Sequence, residues 1–179
     1  MQKFERANFE VKEYVESEHY GKFVFEPLER GFGTTIGNAL RRVLLSSLPG
    51  AAVFAIKMDG VYHEFTAIPG VVEDVTAIIL NIKKLILKIQ DDEVYTLRIS
   101  KRGPGEVTGA DIICPEGVEI LSKDQYICTL EEDGVLEMEL QARVGRGYVS
   151  ADANKSLYQT QNQPLGTIYT AAIYTPVEK

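Results

Sequence analysis

The stretch ERGFGTTIGNALRRVLLSSLPG, residues 29–50, puts Gly31, Gly33 and Gly37 where a strand-like segment turns into a helix-like one. Glycines in that setting can cradle a phosphate on backbone N–H groups. The spacing argues against it. In a dinucleotide fingerprint the third glycine follows as Gly-x-Gly-x-x-Gly, and Gly37 comes one residue late. The closing Gly-Lys-Ser/Thr of a phosphate loop has no counterpart here. His19 and His63 are the only histidines, and HEF at 63–65 lacks the second histidine that a zinc helix carries four residues on. Two histidines do not build a Ser/His/Asp or Cys/His arrangement with Cys114 or Cys128. Asp91–Asp92 and Glu131–Glu132–Asp133 read as solvated turn residues. Cys114 and Cys128 have no Cys-x-x-Cys spacing and read as reduced, buried thiols of a cytoplasmic protein. The expectation is a chain with no catalytic residue, no metal and no cofactor of its own.

The elements that must position these residues follow from pattern. A mixture of 45% apolar and 25% charged residues in 179 supports a globular core, and a net charge of −7 speaks against broad binding to a nucleic-acid backbone. No apolar run approaches the ~18 residues of a membrane helix. Residues 9–14 and 22–28 alternate as two strands, a first helix runs from about Thr34 to Ser47, and Pro49–Gly50 ends it as a candidate boundary. Beyond it, AVFAIKMDGVYHEF predicts a hairpin around Asp59–Gly60. Pro69–Gly70 opens a second helix over 72–85, with Val72, Val75, Ile79 and Ile82 on one side and Lys83 and Lys84 at its end. Segments 85–90 and 93–100 predict a hairpin around Asp91–Asp92, and KRGPGEVTGAD predicts a loop. DQYICTL and VLEMELQARV predict a third hairpin around EEDG. Residues 150–164 read as a linker or exposed loop, and 166–174 as a short strand.

The first helix is two-sided. At about 100° per residue, Ile36, Leu40, Val43, Leu44 and Ser47 form a stripe expected to face the protein's own core. Asn38, Arg41, Arg42 and Leu45 collect opposite. Arginine beside an exposed leucine is the composition of an interface anchor, because the guanidinium makes forked hydrogen bonds while the leucine excludes water. In a chain of net negative charge, that face reads as a site for a protein partner.

LERGFGTTIGNALRRVLLSSLPGAAV (28–53), DGVYHEF (59–65), IPGVVEDVTAIILNIKKL (68–85), GRGYV (145–149) and PLGTIYTAAIYTPVEK (164–179) together resemble the N-terminal domain of the bacterial DNA-directed RNA polymerase alpha subunit. The resemblance implies an α+β fold: a discontinuous dimerisation domain of antiparallel sheet and helices, at 1–50 and 158–179, with a mostly β insert domain at 51–157. It implies a non-catalytic subunit of a nucleotidyltransferase, a scaffold for transcription that dimerises and on which the beta and beta-prime subunits assemble. Carried over, Arg42 and Leu45, on the face shared with Asn38 and Arg41, match positions that bind the beta subunit. Lys83, and with it Arg146, are assigned to the beta-prime subunit. Gly31, Gly33 and Gly37 match the family block and are expected to serve backbone geometry and close packing.

The family continues past the position of Lys179 with a strand, a long helix, a linker and a small DNA-binding domain. The chain therefore reads as C-terminally truncated, with only indirect contact to DNA, and is expected to dimerise poorly alone and to expose an apolar face. Two other readings remain: a stand-alone interaction module or regulator of polymerase assembly, and an enzyme holding a nucleotide in the Gly31–Gly37 loop.

Overall fold

The computed structural model describes residues 6–159 and 166–177. They fall into two units, one up to Val43 and one from Leu44 onward, with the division inside a helix. In the first unit, β1 (Asn8–Val15) and β2 (Tyr20–Glu26) form an antiparallel hairpin. Phe9 stacks on Phe23 across it at 5.5 Å. His19 takes a left-handed conformation at the turn, φ 51°. The helix α1 (Phe32–Ser46) follows and carries the chain into the second unit.

The second unit is built on a five-stranded antiparallel sheet. Its strands are β3 (Pro49–Met58), β5 (Tyr95–Arg102), β7 (Ile112–Ile113), β10 (Val135–Arg146) and β12 (Thr167–Tyr169), in the order β12-β3-β10-β5-β7. Three two-stranded ladders accompany it. β4 (Leu87–Ile89) pairs with β8 (Val118–Ile120), β6 (Gly105–Thr108) with β9 (Tyr126–Leu130), and β11 (Tyr148–Val149) with β13 (Ala172–Ile173). Leu136, Met138, Leu140 and Ala142 alternate along β10 and are buried, as period-2 patterning requires. Opposite them, β3 carries a bulge where Gln141 pairs with Ala55 and Ala142 with Val53, leaving Phe54 as the extra residue. The bulge resets the parity of the strand: Ala51 and Val53 before it, and Ile56 and Met58 after it, all meet the large core. Phe54 is sent to a second, smaller cluster with Ala55, Ala172 and Tyr174.

The helix α2 (Val75–Ile82) is shorter than patterning predicts. Asp74 caps it by accepting from the Ala77 N–H at 2.7 Å. Val72 lies before the cap and is exposed, while Val75, Ile78, Ile79 and Ile82 are buried. The segment ahead of the cap is instead hydrogen-bonded along β9, with Val72 N donating to Thr129 O at 3.0 Å and the Glu73 carboxylate accepting from Thr129 N and the Tyr126 hydroxyl.

None of the three predicted hairpins pairs as expected. Each turn forms, but two of them join strands that pair elsewhere and the first leads into a loop. After Asp59–Gly60 the chain does not return along β3, whose two edges are taken by β10 and β12, so 61–65 is a loop, with Val61 buried in the core and 62–65 exposed. β4 and β5 flank Asp91–Asp92 and pair with β8 and with β10 and β7. At 131–134 the turn closes with Gly134 N donating to Glu131 O at 3.0 Å. β9 pairs with β6 and the 71–72 segment, whereas β10 lies between β3 and β5. Two predicted loops are ordered elements. KRGPGEVTGAD contains the end of β5, all of β6 and a 3-10 turn at Gly109–Asp111. The 150–164 segment begins with α3 (Ala151–Tyr158), capped by Ser150, and its part at 160–164 lies outside the described residues. Pro49–Gly50 follows the end of α1, as expected, and β3 starts there.

The 103–111 region is tied down by one ion pair. Lys101 Nζ donates to Asp111 Oδ1 and to the Glu106 carbonyl, both at 2.8 Å, and Asp111 Oδ2 accepts from Thr108 N at 2.8 Å. Burial pushes the Asp111 carboxyl up, but the Lys101 ammonium and the Thr108 amide outweigh it and hold it below the usual carboxylate range. A depressed folded-state value means that the stabilisation is full above the unfolded aspartate value, about 3.9, and is lost as pH falls below it. Asp111→Ala is expected to cost about 1–2 kcal/mol near neutral pH, with the gap to the parent narrowing in acid, as pH falls below about 3.9 and through the lowered folded-state value. Urea unfolding at neutral and acid pH measures it, and a gap that persists in acid would refute the assignment.

Candidate partner-binding face

The face begins with a turn. Gly31 has φ +92°, a conformation that other residues resist, and Phe32 N donates to Glu29 O at 3.1 Å as the chain enters α1. Gly33 and Gly37 lie inside the helix, which starts two residues earlier than patterning predicts. The close packing expected at the three glycines is not found: a Cβ at any of them meets no atom within 4 Å.

Asn38, Arg41, Arg42 and Leu45 all lie on α1 and are exposed, with Leu45 at 38%. The opposite stripe departs from expectation. Ile36 is half-buried, but Leu40, Val43 and Leu44 keep 56, 50 and 41% of their surface exposed, and no residue of α1 is fully buried. Amphipathic spacing identifies a stripe that needs cover, but the described residues of this chain do not supply it.

The end of α1 is held by backbone contacts from distant segments. The Thr175 hydroxyl donates to the Leu44 carbonyl at 3.1 Å, and Gly147 (φ +61°) lies against Ser46, where an added Cβ would stand 3.5 Å from the Ser46 Cα and carbonyl oxygen. Arg146 is exposed at the end of β10, paired in register with Pro49 just beyond α1. Lys83 is elsewhere. It is the exposed C-cap of α2, donating its N–H to Ile79 O at 3.0 Å, where the helix dipole favours a cation. Its neighbour Lys84 reaches Asn81 Oδ1 at 3.3 Å, and Asn81 in turn donates to Ile127 O of β9. The structure thus groups four of the predicted residues on one helix, links Arg146 to that helix's exit, and sets Lys83 on a separate element.

Sequence reasoning missed what lies behind the helix exit. Arg143, expected on the solvent side of β10, is half-buried with its guanidinium over three rings, 5.0 Å from Tyr158, 5.1 Å from Tyr174 and 5.8 Å from Phe54. Arg143 Nε, the Tyr174 hydroxyl and Asn154 Oδ1 are buried without a hydrogen-bond partner among the described residues. Burial pushes the Tyr174 hydroxyl up, with the Arg143 charge opposing. The only signal in the sequence is the Gly145–Arg146–Gly147 run, whose first glycine underlies the Tyr174 ring. Of the two free thiols, Cys114 is half-buried, whereas Cys128 is fully buried and pushed up to about 12 by burial and the Glu73 charge, which leaves it unreactive.

No helix among the described residues is long and apolar enough to cross a membrane. The family model for the RNA polymerase Rpb3/RpoA insert domain matches residues 56–175. The chain is 53% identical, over all 179 of its residues, to a DNA-directed RNA polymerase subunit alpha from Alkaliphilus metalliredigens (strain QYMF), and it spans 56% of that relative's length. A match of that extent, on a mixed fold of antiparallel sheets and few helices, means that the chain belongs to the RNA polymerase Rpb3/RpoA insert-domain family.

Proposed function

We propose that this chain is the assembly part of a DNA-directed RNA polymerase alpha subunit: a non-catalytic scaffold that pairs with a second alpha subunit and receives the beta and beta-prime subunits. On this reading, 1–50 and 158–179 form the dimerisation domain and 51–157 the insert domain. Asn38, Arg41, Arg42 and Leu45 meet the beta subunit, and Lys83 with Arg146 meets beta-prime. The chain binds no cofactor, touches DNA only through its assembly, and works in the cytoplasm. The observation that carries the reading is α1 itself, a helix with guanidinium and leucine side chains outward and no fully buried residue, in a chain so similar to an alpha subunit. A surface helix with exposed leucines alongside arginines gains most from a partner that covers it.

Arg42→Ala in the full-length subunit is expected to weaken capture of the beta subunit by about thirtyfold or more, equivalent to about 2 kcal/mol, while the alpha dimer stays intact. Titration of beta with the variant, alongside sedimentation of the variant alone, measures both. Glu132→Ala at an exposed turn is the control and should change neither. A folded Arg42→Ala subunit that binds beta with parental affinity would remove the assignment.

A further inference from the structure

The segment around Tyr174 is threaded through a slot walled by glycine. Tyr174 is fully buried; a Cβ on Gly145 would stand 2.7 Å from its ring, and one on Gly50 would stand 1.9 Å from its carbonyl oxygen. Any side chain at either place would displace the segment. On the remaining side the Arg143 guanidinium covers the ring, and the Tyr174 N–H donates to Gly147 O at 2.8 Å. With its neighbour clamped on these sides, Thr175 has little freedom. Its hydroxyl donates to Leu44 O and accepts from Val177 N at 3.3 Å.

The Leu44 carbonyl is one of the last four of α1, which have no partner inside the helix. Helix ends fray unless such groups are satisfied, and α1 has no fully buried side chain to hold it otherwise. The bond spans 131 positions of sequence and lands on the residue next to Leu45.

We infer that Thr175, clamped by Tyr174 and Arg143, is a positioning residue for partner capture: it caps the last turn of α1 and fixes the pose in which Leu45 meets the beta subunit. The inference rests on the reading of α1 proposed above. It assigns the pose of an exposed helix to a segment 131 positions away in sequence.

The test uses the full-length subunit with Thr175→Val, which keeps the shape and removes the hydroxyl, and Thr175→Ser, which restores it. Hydrogen exchange over the peptide containing Leu44–Leu48 and affinity for the beta subunit are read together. Thr175→Val is expected to speed exchange there and to weaken capture, each by about three- to tenfold, with Thr175→Ser returning both toward the parent. Unchanged exchange in Thr175→Val overturns the inference outright. Faster exchange with unchanged capture, in a preparation where Arg42→Ala does weaken capture, overturns it while leaving the interface reading standing. Unchanged capture in Arg42→Ala overturns the interface reading, and this inference falls with it.

Discussion

Truncation of Tyr174 to alanine is expected to lower the stability of the folded chain by about 3–5 kcal/mol, the range for removing a buried aromatic ring. The ring is fully buried and shares a cluster with Phe54, Ala55 and Ala172. It lies against Gly145 and under the Arg143 guanidinium, so the cavity left behind would be lined partly by a half-buried charge. Tyr174 directly follows β13, which pairs with β11 at only two positions, a ladder too short to hold the segment alone. Tyr174→Phe separates the contributions of ring and hydroxyl. The hydroxyl makes no well-aligned hydrogen bond among the described residues and faces only the Arg143 guanidinium loosely, so its removal is expected to change stability by less than about 1 kcal/mol. Urea unfolding of the three proteins distinguishes the cases. A Tyr174→Ala protein within about 1 kcal/mol of the parent would mean that the slot does not contribute as argued.

Gly50→Ala is expected to be nearly as damaging, at about 3 kcal/mol or more, although it adds only a methyl group. The added carbon would stand 1.9 Å from the Tyr174 carbonyl oxygen and 2.9 Å from its carbon, and backbone cannot rotate aside as a side-chain end can. Either β3 or the 174–176 segment must move, and β3 is held in register by β10 through the Gly145–Gly50 pair. Gly33→Ala is the internal comparison, since a Cβ there meets nothing within 4 Å and alanine is the better helix residue by about 0.5–1 kcal/mol. Thermal melts that rank Gly50→Ala at or above the parent would contradict the geometry.

Much of this protein was legible residue by residue. Spacing of 3.6 located α1 and most of the buried stripe of α2, and alternation located β1, β2 and β10. Asp74 and Ser150 show the limit. Both cap helices by side-chain bonds to the N–H three residues on, yet the second helix was placed too early and α3 was read as a loop, because a cap is one residue whereas a polar, weakly patterned stretch is many. The candidate face itself was visible because Asn38, Arg41, Arg42 and Leu45 lie on one helix, where sequence spacing is spatial geometry.

The sequence by itself determined the local events: where the chain turns, which residues alternate, and which helix face carries arginine and leucine. Those follow from backbone torsions and periodicity within a dozen residues. Only the tertiary structure decided which strand edges meet, so that two well-marked turns join strands belonging to different ladders and a third leads from β3 into a loop. It also decided that Arg143 leaves solvent to sit over three rings and that Thr175 caps a helix 131 positions away. The reason is physical. A strand has two edges and a ring two faces, and which distant segment satisfies them depends on competition among all segments for burial and hydrogen bonds, a property no single stretch carries.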